Sequence, residues 1–193
     1  AREITSQLIG GIGYYYGESL VDRRPLNDSG MYLHDMHGAM PKPEGPHSLL
    51  TATPSRSFFP RGFYWDEGFH LLHIGAWDAE LASMIFGSWT HLMDKNGWVA
   101  REQILGEEAR SQVPREFQTQ YPQHANPPTL IFGLNSMLDE YHSRVKEAQE
   151  DLEGVNYIQR ADLGDMDRMH KKLESLYPHW KRHYEWFRRT QQM

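Results

Sequence analysis

The sequence contains no cysteine among its 193 residues, so neither a disulfide nor a thiolate metal site can form within it. It also has no excess of basic residues, because 20 Lys and Arg residues stand against 26 Asp and Glu residues, for a formal charge of −6. Since nucleic-acid-binding proteins typically carry a basic patch, we expect no nucleic-acid partner. No apolar run approaches the roughly 20 residues that cross a bilayer, so these residues predict no membrane contact.

The most informative stretch covers residues 55–70 and reads Ser-Arg-Ser-Phe-Phe-Pro-Arg-Gly-Phe-Tyr-Trp-Asp-Glu-Gly-Phe-His. Two adjacent carboxylates, Asp66 and Glu67, lie there among aromatic residues and close to Arg56 and Arg61. Aromatic rings stack on the apolar faces of sugars, and carboxylates and guanidinium groups bind sugar hydroxyls. A carboxyl group among aromatics is partly desolvated, which raises its pKa and suits it to general acid catalysis. The alternative interpretation is a buried aromatic segment with a solvated Asp-Glu pair at a helix start.

The spacing of apolar residues predicts a protein of helices joined by long loops. A helical pattern covers residues 2–21, and six prolines predict a long ordered loop over 22–62. The acidic, polar segment 147–167 predicts a surface linker or insertion. The remaining predicted elements are helices over 66–76, 79–93, 129–146 and 169–176, an irregular segment over 94–127, and a last helix with Pro178 in its first turn.

Three further blocks accompany the stretch around Asp66. They are Gly-Gly-Ile-Gly-Tyr-Tyr-Tyr-Gly at 10–17, Gly-Trp-Val-Ala-Arg-Glu-Gln-Ile-Leu-Gly-Glu-Glu-Ala at 97–109 and His-Ala-Asn-Pro-Pro-Thr-Leu at 124–130. In their order and approximate spacing, the four blocks resemble the processing α-glucosidase I family, the mannosyl-oligosaccharide glucosidases of the endoplasmic reticulum. One short motif would be weak evidence, but four ordered blocks are specific to a family.

The resemblance implies an all-α fold, in which residues 1–193 are an internal part of an (α/α)6 toroidal catalytic domain whose loops carry the active site. It implies that an N-terminal β-rich domain and a C-terminal remainder lie outside this segment. It further implies an inverting exo-α-glucosidase that removes the terminal α-1,2-linked glucose from the triglucosylated N-glycan precursor on nascent glycoproteins. Such an enzyme works in the lumen of the endoplasmic reticulum, as a membrane-anchored or a soluble protein, and needs no cofactor.

The resemblance also implies roles for individual residues. Asp66 matches the family's general acid, and Glu67 is expected to organise it or to bind substrate. The family's general base lies after the matched segment, so residues 1–193 alone are expected to be inactive. The other residues expected to bind substrate are Phe59, Arg61, Gly62, Phe63, Trp65, Arg101, Glu102, Gln103, His124 and Asn126. From the residues alone, an exposed turn at 101–103 remains open.

Two histidine pairs have a helical spacing that suits zinc, His34 with His37 and His70 with His73. Neither pair includes the glutamate of an H-E-x-x-H motif, and no third ligand can be nominated. We therefore predict no metal site and expect polar packing of these side chains. Asn27 begins an Asn-Asp-Ser sequon for N-glycosylation, which is compatible with a lumenal enzyme.

Two other functions remain open at this stage. One is a related toroidal glycosidase with a different substrate, such as a trehalase-like enzyme, although the block at 101–106 favours the N-glycan enzymes. The other is a carbohydrate-binding module without catalytic activity. Hydrolysis of a glucosylated glycan that is lost on Asp66→Asn would distinguish an enzyme from a binding module.

Overall fold

The computed structural model of the chain describes residues 2–24, 41–150 and 157–191. The predicted glycosylation site Asn27 and the pair of His34 and His37 lie outside these ranges. No helix in the described part of the chain combines the length and the apolar character needed to cross a bilayer.

The described residues form a mainly helical domain with one three-stranded and one two-stranded sheet. The α-helices are α1 Arg2–Gly10, α2 Tyr64–Trp77, α3 Ala79–His91, α4 Gly106–Ser111, α5 Leu130–Glu150, α6 Tyr157–Ser175 and α7 Tyr177–Thr190. The strands are β1 Gly13–Val21, β2 Lys42–Thr51, β3 Gly62–Phe63, β4 Glu102–Gln103 and β5 Thr119–Gln120, with a 3-10 helix at Arg115–Phe117.

The single helix predicted over 2–21 is wrong beyond α1, because the chain turns and continues as strand β1. In β1 the side chains of Tyr14 and Tyr16 are exposed, whereas Tyr15 packs against the core, as the period of two in a strand requires. Consecutive aromatic residues favour a strand over a helix. The apolar residues keep a helical spacing through Ile12, but the helix itself ends at Gly10.

The loop predicted over 22–62 is also wrong in part, because β2 lies within it and pairs antiparallel with β1. The strand order is β2-β1-β5, which leaves β2 at the edge of the sheet. An edge strand tolerates the missing N–H groups of Pro43 and Pro46. The fold is therefore mainly helical with a three-stranded sheet, rather than all-α.

The irregular segment predicted over 94–127 is wrong in part, because it contains β4, α4, the 3-10 helix and β5. The other helices predicted after residue 62 are confirmed, with longer elements near the end. Helix α5 continues to Glu150 and α6 already begins at Tyr157, so the linker or insertion predicted over 147–167 is helical at both ends. The polar residues in this segment include good helix formers such as Glu147 and Gln149. Pro178 lies in the first turn of α7, as predicted.

Helices α2 and α3 form a hairpin whose junction is one residue, Asp78. The Asp78 N–H caps α2 through the Ile74 carbonyl, and its side chain accepts a hydrogen bond from the Leu81 N–H at the start of α3. This hairpin packs against α5, α6 and strand β2. The largest fully buried apolar side chains of the described residues are Leu49, Tyr64, Leu71, Ile74, Ile85, Phe86, Trp89, Ile104 and Leu130.

Helix α7 is joined to the start of α2 by a buried histidine. His183 Nδ1 donates to the Gly97 carbonyl at 2.6 Å, so its Nε2 accepts from the Tyr64 hydroxyl, also at 2.6 Å. Burial lowers the pKa of His183, although the bond to Gly97 opposes this effect. Gly97 adopts a φ of +94°, and a Cβ there would lie 2.4 Å from the Arg182 carbonyl oxygen. The neutral ring of His183 therefore holds α7 against the loop before β4.

We expect His183 to make the fold less stable in acid. The pKa of His183 in the folded protein lies below its ordinary value of 6.5, so the unfolded chain binds a proton first as the pH falls. The free energy of unfolding should therefore decline below about pH 6.5. Thermal melting at pH 7.5 and pH 5.5 should show a smaller loss of melting temperature for His183→Gln than for the unmodified protein. The exposed His73→Gln serves as control, and an equal pH effect in all three proteins would contradict this assignment.

Candidate active site

The motif around Asp66 is positioned by a short strand pair that leads directly into α2. Strand β3 pairs antiparallel with β4, and the Tyr64 N–H donates to the Arg101 carbonyl at 2.9 Å. That bond satisfies one of the N–H groups that the first turn of a helix leaves without a partner. Asp66 and Glu67 follow in the first turn of α2, where the positive end of the helix dipole favours carboxylates.

The carboxyl group of Asp66 is only partly buried. Burial raises the pKa of Asp66, the positive charge of a protonated His70 would lower it, and the negative charge of Glu102 raises it. A carboxyl that is partly desolvated and has a raised pKa keeps its proton to higher pH, which a general acid requires. Asp66 is therefore partly desolvated, and its role as the general acid stays a prediction.

Glu67 has a different environment, because its side chain is completely buried. Its carboxylate accepts hydrogen bonds from Thr51 Oγ1 at 3.0 Å and from the Ala52 N–H at 3.2 Å, and His70 Nδ1 lies 3.0 Å from it. Burial raises the pKa of Glu67, while the bond to His70 opposes that rise. The structure gives Glu67 no exposed surface for the sugar contact expected from the sequence, and its contacts are those of a support for the first turn of α2.

A buried ion pair lies beside Asp66. Arg61 Nε donates to Glu102 Oε2 at 2.9 Å, and both side chains are buried. The other oxygen of Glu102 accepts from Arg101, whose side chain is half exposed. The Arg61 guanidinium also lies 4.8 Å from the centre of the Phe63 ring. The structure therefore brings Arg61, Phe63, Arg101 and Glu102 together next to Asp66, although they come from two distant segments.

Exposed aromatic rings surround this group. Trp65 and Phe69 are 43% and 45% exposed, with ring centres 6.1 Å apart in an edge-to-face arrangement. Phe132 of α5 is 49% exposed and lies 6.2 Å from Phe69. Phe59 contacts Phe63 edge to face at 5.9 Å. Rings that remain exposed near a carboxyl group can stack on a sugar. The sequence motif named Phe59, Phe63 and Trp65, whereas Phe132 was missed because it lies far along the chain.

Two glycines of the motif have packing roles that the sequence did not identify. A Cβ on Gly68 would lie 2.2 Å from the backbone carbon of Thr129, so α2 and the start of α5 approach here as closely as glycine allows. A Cβ on Gly62 would lie 2.8 Å from Leu49 and 2.9 Å from Trp89. Gly62 is buried, so its contacts are with the core rather than with open space in front of Asp66.

Three other residues predicted to bind sugar are Gln103, His124 and Asn126. Gln103 is buried and donates to the Ala100 carbonyl. His124 is exposed, and its carbonyl accepts from Trp98. Asn126 is buried, and its Nδ2 has no hydrogen-bond partner within the described residues. Within the same residues, no hydrogen bond links any of these three side chains to Asp66, so their contact with substrate stays a prediction.

The described residues contain no group of three or more His, Asp or Glu side chains that could hold a metal ion. His70 is bonded to Glu67, and His73 is exposed one turn further along α2. The two histidines therefore have separate environments. The absence of a metal from the working enzyme stays a prediction.

The family is shown by comparison with known proteins. The chain matches the family model "Glycosyl hydrolase family 63 C-terminal domain" over residues 1–193. The chain belongs to this family. This membership and the relatives below confirm the resemblance seen in the sequence.

Three curated relatives of this family 63 chain carry closely similar names. A probable mannosyl-oligosaccharide glucosidase of Schizosaccharomyces pombe is 42% identical over 99% of the chain, and a mannosyl-oligosaccharide glucosidase of Saccharomyces cerevisiae is 44% identical over 99%. A mannosyl-oligosaccharide glucosidase of Arabidopsis thaliana is 40% identical over 84%. These alignments cover 26%, 24% and 18% of the relatives, so the family 63 chain spans about a quarter or less of their length.

Proposed function

We propose that the protein containing this chain is an exo-acting α-glucosidase of N-glycan processing. It removes the terminal α-1,2-linked glucose from the triglucosylated N-glycan precursor on nascent glycoproteins, in the lumen of the endoplasmic reticulum. The names of the three relatives support the substrate class. The observation that carries the proposal is Asp66, a partly buried carboxyl group with a raised pKa among exposed aromatic rings.

The chemistry is inverting hydrolysis by two carboxyl groups. Asp66 protonates the glycosidic oxygen as the bond to the anomeric carbon breaks, and a second carboxylate takes a proton from the attacking water. In inverting enzymes these groups stand roughly 6.5–9.5 Å apart, which leaves room for that water. Within the described ranges, the two carboxylates next to Asp66 are not available as the base. Glu67 is completely buried, and Glu102 is bonded to Arg61 and Arg101. We infer that neither Glu67 nor Glu102 is the base, and that another part of the full-length protein provides it.

The remaining polar and aromatic side chains bind the sugar. Trp65 and Phe69 offer exposed ring faces, and the half-exposed Arg101 offers guanidinium donors to hydroxyl groups.

We infer that the hairpins α2–α3 and α5–α6 are part of an (α/α)6 toroid. The first turn of α2 and the loop with β4 would then belong to the end of the toroid that opens to substrate. The short junction at Asp78 and the close packing of α2 on α5 support this arrangement.

The substrate and the stereochemistry can be tested together with the full-length protein. A triglucosylated N-glycan and trehalose are offered separately, and proton NMR follows the anomeric signal of the first glucose released. We expect β-glucose from the α-linked glycan and no hydrolysis of trehalose. Faster hydrolysis of trehalose would favour the trehalase-like alternative. Initial release of α-glucose would contradict inversion. Binding of the glycan without hydrolysis would favour a carbohydrate-binding module.

A further inference from the structure

A cavity of about 420 Å³ lies at the junction of α2 and α3. The end of α2, the start of α3 and side chains of α5 and α6 line this junction cavity. Its volume is within the usual range of small-molecule sites. Trp77 in its lining is the last residue of α2, about three helical turns or roughly 16 Å along the helix from Asp66. The junction cavity is therefore separate from the candidate active site.

The apolar part of the lining consists of buried methionines and an exposed tryptophan. Met137 of α5 and Met166 and Met169 of α6 are buried, and their flexible side chains adapt to the shape of a ligand. Trp77 is 58% exposed, so much of its indole ring is open to a ligand. Indole rings stack on apolar faces such as those of sugar rings. The lining thus offers a large aromatic surface next to an apolar base.

The polar part of the lining offers both donors and acceptors. Arg144 Nε donates to Glu140 Oε1 at 2.7 Å across one turn of α5, and both side chains are about half exposed. Glu80 is exposed at the start of α3. A guanidinium group donates and a carboxylate accepts, whereas a hydroxyl group does both. These three side chains therefore suit a ligand with several neighbouring hydroxyl groups.

The charges around the junction cavity are balanced. Among the described residues, its lining carries three carboxylates and one guanidinium, those of Asp78, Glu80, Glu140 and Arg144. Glu80 also lines a neighbouring cavity of about 150 Å³ together with the cationic Arg168 and Lys172. Since the negative and positive groups are equal in number, the surroundings favour a neutral ligand over an ion. The described part of the chain has no group here that could hold a metal ion.

We propose that the junction cavity binds one hexose unit of an oligosaccharide. The Trp77 ring stacks on the apolar face of the sugar, and Glu80, Glu140 and Arg144 bind its hydroxyl groups. A hexose is neutral and combines an apolar face with a rim of hydroxyl groups, as this lining requires. The site holds a sugar without taking part in hydrolysis, because it lies so far along α2 from Asp66.

The test is a titration of the full-length protein with two sugars, followed by saturation-transfer NMR. The probes are methyl α-D-mannopyranoside and methyl α-D-glucopyranoside, a choice that rests on the proposed function because its glycan contains both hexoses. We expect at least one probe to bind with a Kd on the order of 1 mM, as suits so small a ligand. No hydrolysis is needed for this measurement.

Trp77→Ala should raise the Kd about tenfold, because the stacking surface is lost. Trp77→Phe keeps an aromatic ring and should stay within about threefold of the unmodified protein. The control is Tyr184→Ala, because Tyr184 is 64% exposed on α7 and does not line the cavity. It should leave the Kd unchanged. Turnover of the triglucosylated glycan should change less than about twofold in all three variants, since none removes a group of the candidate active site.

An unchanged Kd in Trp77→Ala, or no binding of either probe to the unmodified protein, would overturn the proposal. Tighter binding of N-acetyl-lysine methylamide than of both sugars would also overturn it, in favour of a cationic peptide. If Trp77→Ala does not fold, Glu80→Gln decides, because the change is small and exposed and should still weaken sugar binding. A full-length protein that binds the sugars at Trp77 but hydrolyses no glycan would refute the proposed function and leave this site in place.

Discussion

Replacing Asp66 with asparagine in the full-length protein is expected to lower the turnover of the triglucosylated glycan by about 10²–10⁴-fold, the usual contribution of a positioned general acid. Asparagine has nearly the same shape but cannot deliver the proton. Because Asp66 is only partly buried and makes no ion pair closer than 4 Å within the described residues, its loss should leave the melting temperature almost unchanged. Turnover and thermal melting of the same preparations measure both effects.

The matched control is Asp139→Asn, because Asp139 is an exposed aspartate on α5. This variant should retain the turnover of the unmodified enzyme. Glu67→Gln should lower the turnover less than Asp66→Asn does, since Glu67 acts only through neighbouring groups. Near-normal turnover in Asp66→Asn would contradict the assignment of the acid. An equal or larger loss in Glu67→Gln would move the acid role to Glu67.

Gly68→Ala is expected to have the largest effect on stability. A Cβ at this position would lie 2.2 Å and 2.3 Å from the carbonyl carbon and oxygen of Thr129. Because these are backbone atoms, rotation of a side chain cannot remove the steric overlap. Helix α2 would have to move away from α5 instead. We expect a loss on the order of 3 kcal/mol in the free energy of unfolding, the upper end of the usual cost of overpacking. Turnover should fall too, because Asp66 lies in the same first turn of α2.

Gly164→Ala in α6 is the matched control for this prediction. A Cβ on Gly164 would have no atom within 4 Å, so only helix propensity changes. Alanine should then stabilise the protein by roughly 1 kcal/mol. Denaturant unfolding of the three proteins gives both values. Equal stability of Gly68→Ala and the unmodified protein would show that α2 and α5 are not packed as described.

The helices could be predicted from the sequence where apolar spacing and capping residues agree. Helices α2 and α3 have both, since Asp78 lies between two apolar patterns and caps the second helix. The strands could not be predicted in the same way. Strand β2 contains Pro43 and Pro46, which read locally as loop residues, and its pairing with β1 depends on contacts between distant segments.

The site shows the same division between local and distant information. Asp66, Glu67 and Trp65 are adjacent in the chain, so the motif itself indicates them. The supports of the site come from elsewhere, because Thr51 lies 16 residues before Glu67. Phe132 likewise comes from α5. A single sequence contains no signal for such contacts between distant segments, because they depend on how the core packs.

The identity of the general acid is the central claim, and the dependence on the leaving group tests it most directly. α-D-Glucosyl fluoride needs little protonation of its leaving group, whereas the glycosidic oxygen of the glycan needs a proton in the transition state. The full-length Asp66→Asn variant should therefore hydrolyse the fluoride within about tenfold of the unmodified enzyme while it loses about 10²–10⁴-fold on the glycan. Equal losses on both substrates would contradict the account and show that Asp66 does not act as the proton donor.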